Sequence, residues 1–321
     1  MRMKPWAALA AAVPLVAGCV AGPSAGTARA SGGTPQSAAV QSPSARTSSA
    51  ESPSARPPAA RPAPPRVTPG TTASWLVYDR QKRKFVATRY AHRKYRTASV
   101  VKILIAIDFL ESRRKVSAAD ARLLKVMLRE SDDAAATAFW NRRGKGKIIT
   151  RMARKLRLSD TTPPPASRPG FWGYATQSAR DVVRTYRYLL DTASPRVRDT
   201  ILGHLRAATP CGSDGFDQTF GIPDAVPGRK AVKQGWSGFG TVPPVRCRPR
   251  AQGGAIALAA SRSSSAIVPD YGRPVLYTTG LVGKDERYVM VVLTAHPAGA
   301  TWRSSVNRVT KLTRQLYRGL A

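Results

Sequence analysis

TASVVKILIA (97–106) sets Ser99 three residues ahead of Lys102 inside an almost wholly apolar run. The run continues through Leu110, and only Lys102 and Asp108 interrupt it. A helix apolar on nearly every side must be buried. This one is shorter than the roughly 20 residues that cross a bilayer. On a helix, residues i and i+3 share a face, so the Ser99 hydroxyl and the Lys102 amine become neighbours. Burial disfavours the charged ammonium, and a neutral amine beside a serine hydroxyl can take its proton and make it a nucleophile. The same spacing recurs at Ser112 and Lys115, but there it lies in ESRRKVS (111–117), a charged stretch without that setting.

Working outward, SWLVYD (74–79) and FVATRY (85–90) flank a polar RQKRK and predict a hairpin. Ser117 with Asp120 is a helix-start signature for SAADARLLKVMLRE (117–130). AAATAFW (134–140), KIITRMARKL (147–156) and SARDVVRTYRYLL (178–190) read as further helices, and TTPPPASRPG (161–170) as loop. A Gly/Pro-rich stretch fills 209–250. VLYTTGLVG (275–283) and RYVMVVLTAH (287–296) read as two strands, and SSVNRVTKLTRQLY (304–317) as a closing helix. Strands at both ends with helices between predict an α+β fold, an antiparallel sheet flanked by helices with a helical insert.

Two more polar triplets stand in this frame, SDD (131–133) and KQG (233–235). Taken singly, SDD also suits a helix cap and KQGW a strand-to-turn segment. In order with SVVK (99–102), they resemble the S-x-x-K, S-D-N and K-T-G motifs of class A β-lactamases and the related penicillin-binding D,D-peptidases. The resemblance covers most of residues 71–321 and includes WGYATQSARDV (172–182), similar to the family's helix-opening segment.

The resemblance implies a role for each matching residue. Ser99 would be acylated, with Lys102 its base or proton relay and Ser131 the hydroxyl that delivers a proton to the leaving nitrogen. Lys233 would hold the substrate carboxylate, while Gln234 and Gly235 complete the third motif and Gly235 lets the edge strand approach. The N–H groups of Ser99 and Trp236 would form the oxyanion hole. The implied partner is a β-lactam or a peptidoglycan stem peptide ending in D-Ala-D-Ala, with no cofactor.

Three departures bear on activity. Asp133 replaces an asparagine that donates to the substrate amide, and an ionised carboxylate only accepts. Gln234 replaces threonine. No glutamate occurs between Glu130 and Glu286, and in the loop where the lactamases keep a water-activating glutamate the only acid is Asp160. An acyl-enzyme would therefore deacylate slowly. A non-catalytic binder of cell-wall polymer that keeps this fold is the alternative. Other serine chemistry has little support: GWSGF (235–239) misses the G-x-S-x-G elbow, and no histidine stands in a triad setting.

Ahead of this domain, residues 1–19 carry Arg2 and Lys4, an apolar stretch from Trp6 to Val16, and VAGC ending at Cys19. This reads as a secretory signal, and its end resembles a bacterial lipobox. The resemblance implies cleavage before Cys19 and lipidation, hence an exported protein anchored on the outer face of the cytoplasmic membrane. Residues 20–70 are rich in Ser, Ala and Pro and predict a disordered tether that spans about 40 Å as a coil. Cys211 and Cys247 remain, and an exported chain lets them pair. With His92, His204 and His296 they show no metal-ligand spacing.

Lys and Arg outnumber Asp and Glu by 52 to 18. Nucleic acid is not expected as the partner: the chain reads as exported and has none of its motifs. An anionic cell-wall polymer fits the compartment, as does a solvated arginine-rich surface.

Overall fold

In the computed structural model, which describes residues 64–168, 170–248 and 273–320, side-chain alternation explains the sheet. β1 (Thr72–Asp79) sends Ala73, Trp75 and Val77 to one face and Leu76 and Tyr78 to the other. β7 (Tyr288–Ala295) and β6 (Val275–Val282) alternate in the same way. Both faces are covered, so these strands read as nearly continuous apolar runs. β2 (Lys84–Arg89) is mostly exposed at one edge, and β5 (Ala231–Ser237) forms the other. The order is β2-β1-β7-β6-β5, with every pairing antiparallel. A short ladder of β3 (Tyr95–Arg96) with β4 (Thr176–Gln177) lies apart.

Helices pack on both faces. α1 (Lys102–Glu111), α2 (Ala118–Arg129), α3 (Asp133–Arg142), α4 (Gly146–Leu156), α5 (Ala179–Asp191) and α6 (Pro195–Arg206) share the larger core. α7 (Ile222–Ala225) and α8 (Trp302–Arg318) cover the opposite face. α1 is the centre of the larger core, buried from Lys102 to Leu110. Its one acid there, Asp108, accepts from Arg143 Nε at 2.8 Å and from Arg151 Nε and Nη2 at 2.8 and 3.0 Å, so it pins α1 to the α3–α4 corner.

The fold is the α+β arrangement expected, with differences of detail. α6 was not anticipated, although Ser194 caps it and Pro195 occupies its first turn. Ahead of β1, Val67 packs on the α8 side, and Arg66 N donates to Gln315 Oε1 at 2.9 Å. Cys19, the signal-like start and nearly all of the proline-rich stretch lie outside the described residues.

Candidate active site

Ser99 sits in a 3-10 turn, Ala98–Val101, that feeds directly into α1. The sequence predicted one continuous α-helix. A 3-10 turn eclipses side chains at i and i+3, which aligns this pair still more closely. Lys102 Nζ donates to Ser99 Oγ at 2.9 Å. Ala98 has φ 42°, and both the turn and its serine are buried. The turn is tied to the loop before α5: Thr97 N donates to Ala175 O at 2.7 Å and Thr97 Oγ1 to Trp172 O at 3.2 Å.

Ser131 links α2 to α3 with φ 59°, a conformation rare for a non-glycine residue. The α3 cap is its neighbour Asp132, whose Oδ1 accepts from Ala135 N at 2.7 Å. Freed from capping, Ser131 turns both its oxygens on the lysines. Lys102 Nζ donates to Ser131 O at 2.5 Å and lies 3.3 Å from Ser131 Oγ, while Lys233 Nζ donates to Ser131 Oγ at 2.7 Å. Four side chains from the turn, α1, the α2–α3 link and β5 thus form one chain: Ser99, Lys102, Ser131, Lys233.

Lys102 has no solvent-exposed surface. The Asp133 carboxylate lies 2.7 Å from Nζ as a counter-charge. Asp133 keeps more than half of its own side chain in solvent. Lys233 is equally enclosed, and its pKa is pushed well below the ordinary lysine value, first by burial and then by the charge of Lys102. Thr279 Oγ1 donates to Lys233 O at 2.7 Å and fixes the strand behind it.

β5 presents its alternate residues to different sides. Gly235 falls on the side of the serine, where a Cβ would come within 3.1 Å of Val100 Cγ2 and 3.3 Å of Ser99 N. A side chain at Gly235 would crowd this close approach of strand and turn. Gln234 and Trp236 point the other way. The Gln234 amide donates to the carbonyls of Gln218 and Phe220, so its side chain braces the main chain. Trp236 packs with Phe216, Phe220 and Trp302.

Sequence reasoning missed two residues. Trp172, on the loop before α5, lays its ring 4.6 Å from Lys102 Nζ. Asp214 belongs to the segment 209–218, which runs from the SDD link to the end of β5. Thr209 N donates to Arg129 O at 3.1 Å, Ser213 N to Glu130 O at 2.8 Å, and Trp236 Nε1 to Asp214 Oδ2 at 2.9 Å. Although Asp214 keeps an exposed side, burial pushes its carboxyl above the usual range and the Asp133 charge adds to this. A disulfide, Cys211–Cys247, closes the segment. No periodicity marks either residue; only the flanking cysteines hinted that this stretch is held in place.

Asp160 is occupied elsewhere, since its Oδ2 pairs with His92 Nδ1 at 2.9 Å and accepts from Ser178 Oγ at 2.8 Å. Asp181 accepts from Ser159 N, Asp160 N and Thr161 Oγ1 and anchors the same loop. Among the described residues, no group of three metal-ligating side chains comes together.

Over 252 residues the chain is 32% identical to "Putative lipoprotein LppW" of Mycobacterium tuberculosis H37Rv, covering 75% of this chain and 69% of that protein. It belongs to the LppW family. No protein-family model matches. Among solved structures, PBP-A is similar at TM-score 0.55 and 16% identity, over 79% of this chain and 91% of that one. A PBP-A mutant described as an acyl-enzyme complex with penicillin G has TM-score 0.55 and 15% identity, over 78% and 91%. A class A β-lactamase from Mycobacterium abscessus has TM-score 0.54 and 17% identity, over 78% and 94%. This LppW-family chain therefore has the fold of class A β-lactamases and PBP-A.

Proposed function

We propose that the protein is a serine acyltransferase or hydrolase that forms an ester on Ser99 with β-lactams or with D-Ala-D-Ala-type wall peptides. The observation that carries this reading is the unbroken hydrogen-bonded chain Ser99–Lys102–Ser131–Lys233. A fold maintained for binding alone has no use for two lysines buried at a cost of several kcal/mol each.

In the first step Ser99 Oγ bonds to the acyl carbon, and the carbon–nitrogen bond of the lactam or peptide breaks. The proton leaving Ser99 goes to Lys102 as Lys102 passes another through Ser131, so the departing nitrogen is protonated and Lys102 keeps its charge. Lys233, held toward its neutral form by burial, regains its charge when a substrate carboxylate arrives. The N–H groups of Ser99 and Trp236 would receive the developing oxyanion. Asp133 accepts hydrogen bonds only, so recognition of the acyl amide is weaker and acylation slower.

The LppW relationship and VAGC ending at Cys19 support export and lipid anchoring, which would hold this site near the wall. A second reading is a wall-polymer binder without chemistry, and the Asp133–Lys102 ion pair favours it by occupying the amine. Labelling with a fluorescent penicillin, followed by peptide mass mapping, tests the proposal. The expected adduct lies on Ser99 and is absent from Ser99→Ala. Equal labelling of both proteins, or of neither, contradicts it.

A further inference from the structure

We infer that Trp172 is a positioning residue that keeps water from the Ser99–Lys102 pair and so sets the lifetime of an ester on Ser99. The inference rests on the acyl-enzyme reading above.

An ammonium has three N–H donors. Those of Lys102 face four protein acceptors, Ser99 Oγ, Ser131 O, Asp133 Oδ1 and Ser131 Oγ at 2.9, 2.5, 2.7 and 3.3 Å, leaving none for water. The Trp172 ring, 4.6 Å from Nζ, covers another side of the amine with its π face. Trp172 is 2% exposed and cannot swing aside easily. Its Nε1 donates to Thr137 Oγ1 on α3 at 3.2 Å, and its carbonyl accepts from Thr97 Oγ1 beside the nucleophile. Phe171 stacks on it at 5.0 Å. Gly173 permits this stacking, since a Cβ there would meet the Phe171 ring at 2.8 Å. The loop's acids cannot substitute, because Asp160 and Asp181 are spent on anchoring it.

Hydrolysis requires a water oxygen to bond to the acyl carbon and the carbon–Oγ bond to break. The two water protons end on Ser99 Oγ and on the released carboxyl. A water poised for that attack needs space and polar partners near the ester. On the loop side Trp172 supplies neither, and closure of this kind protects reactive intermediates.

The test compares wild type, Trp172→Phe and Trp172→Ala. After a penicillin pulse and removal of free drug, intact mass follows the decay of the adduct, a first-order rate that does not depend on how fast it formed. Trp172→Ala should shorten the half-life by about tenfold or more, and Trp172→Phe, which keeps a ring there, by less than about threefold. A half-life in Trp172→Ala equal to that of wild type overturns the inference. A second measurement needs no acylation: the NMR signal of the Lys102 ammonium protons survives only if they exchange slowly with water. It should be visible in wild type and Trp172→Phe and lost in Trp172→Ala. Its persistence in Trp172→Ala overturns the inference even if no penicillin ester forms, an outcome that would itself count against the acyl-enzyme reading alone.

Discussion

Asp133 holds Lys102 by a carboxylate at 2.7 Å while more than half of its own side chain remains in solvent. An asparagine there would lose the counter-charge and gain an N–H donor for a substrate carbonyl. Asp133→Asn should therefore speed acylation of Ser99 by about tenfold, equivalent to roughly 1.4 kcal/mol in the barrier. Stopped-flow measurement of penicillin binding and acylation reads this directly; an unchanged or lower rate would show that the carboxylate is not what limits the reaction. Ser131→Ala removes the hydroxyl that joins the two lysines and should slow acylation by about 10²- to 10⁴-fold, the usual range for a lost proton-transfer group.

At the scale of elements, the site is assembled where a 3-10 turn, the α2–α3 link and an edge strand meet, and two loops close over it. The segment 209–218 is held by Cys211–Cys247, 36 residues apart. Replacing both cysteines by serine should cost about 3–4 kcal/mol if the unfolded-chain entropy is the main effect. Denaturant unfolding with and without reductant measures this, and wild type should lose a similar amount when reduced. The motifs on α1, the α2–α3 link and β5 were legible because each rests on a fixed local spacing, and the alternation of β1, β6 and β7 announced the sheet. The Asp133–Lys102 pair, the Trp172 cover and the Asp214–Trp236 bond were not legible. Each joins residues far apart in the chain, and no local pattern encodes such contacts. Gln234 shows the same limit: the motif named it, but strand alternation turned its amide toward the carbonyls of Gln218 and Phe220.

Over the whole molecule, one pH dependence comes from a group away from the site. His296 is fully buried with Thr294 Oγ1 at 2.9 Å from its Nε2, and burial, helped by Arg308 and Arg273, pushes its pKa down to about 4 from 6.5. Between those values the unfolded chain binds a proton that the folded one refuses. Stability from this group is therefore full above about pH 6.5 and falls as the pH drops toward 4, by roughly 2–3 kcal/mol at pH 4.5. Urea unfolding at pH 7 and pH 4.5 should show this loss in wild type, and a smaller one in His296→Gln. At the other end of the chain, Cys19→Ser should release the protein from membranes into the medium. Fractionation of expressing cells checks this, and undiminished membrane retention would contradict the anchor. No helix among the described residues is long and apolar enough to hold the chain in a bilayer by itself.

The central claim is that Ser99 is acylated and that the ester persists. Intact mass recorded against time after one equivalent of a penicillin, beside Ser99→Ala and an assay of free drug, tests it most directly. The account predicts slow gain of one drug mass on wild type, an adduct that outlasts removal of the drug, and none on Ser99→Ala. Catalytic loss of the drug without a lasting adduct, or no adduct under any condition, would contradict it.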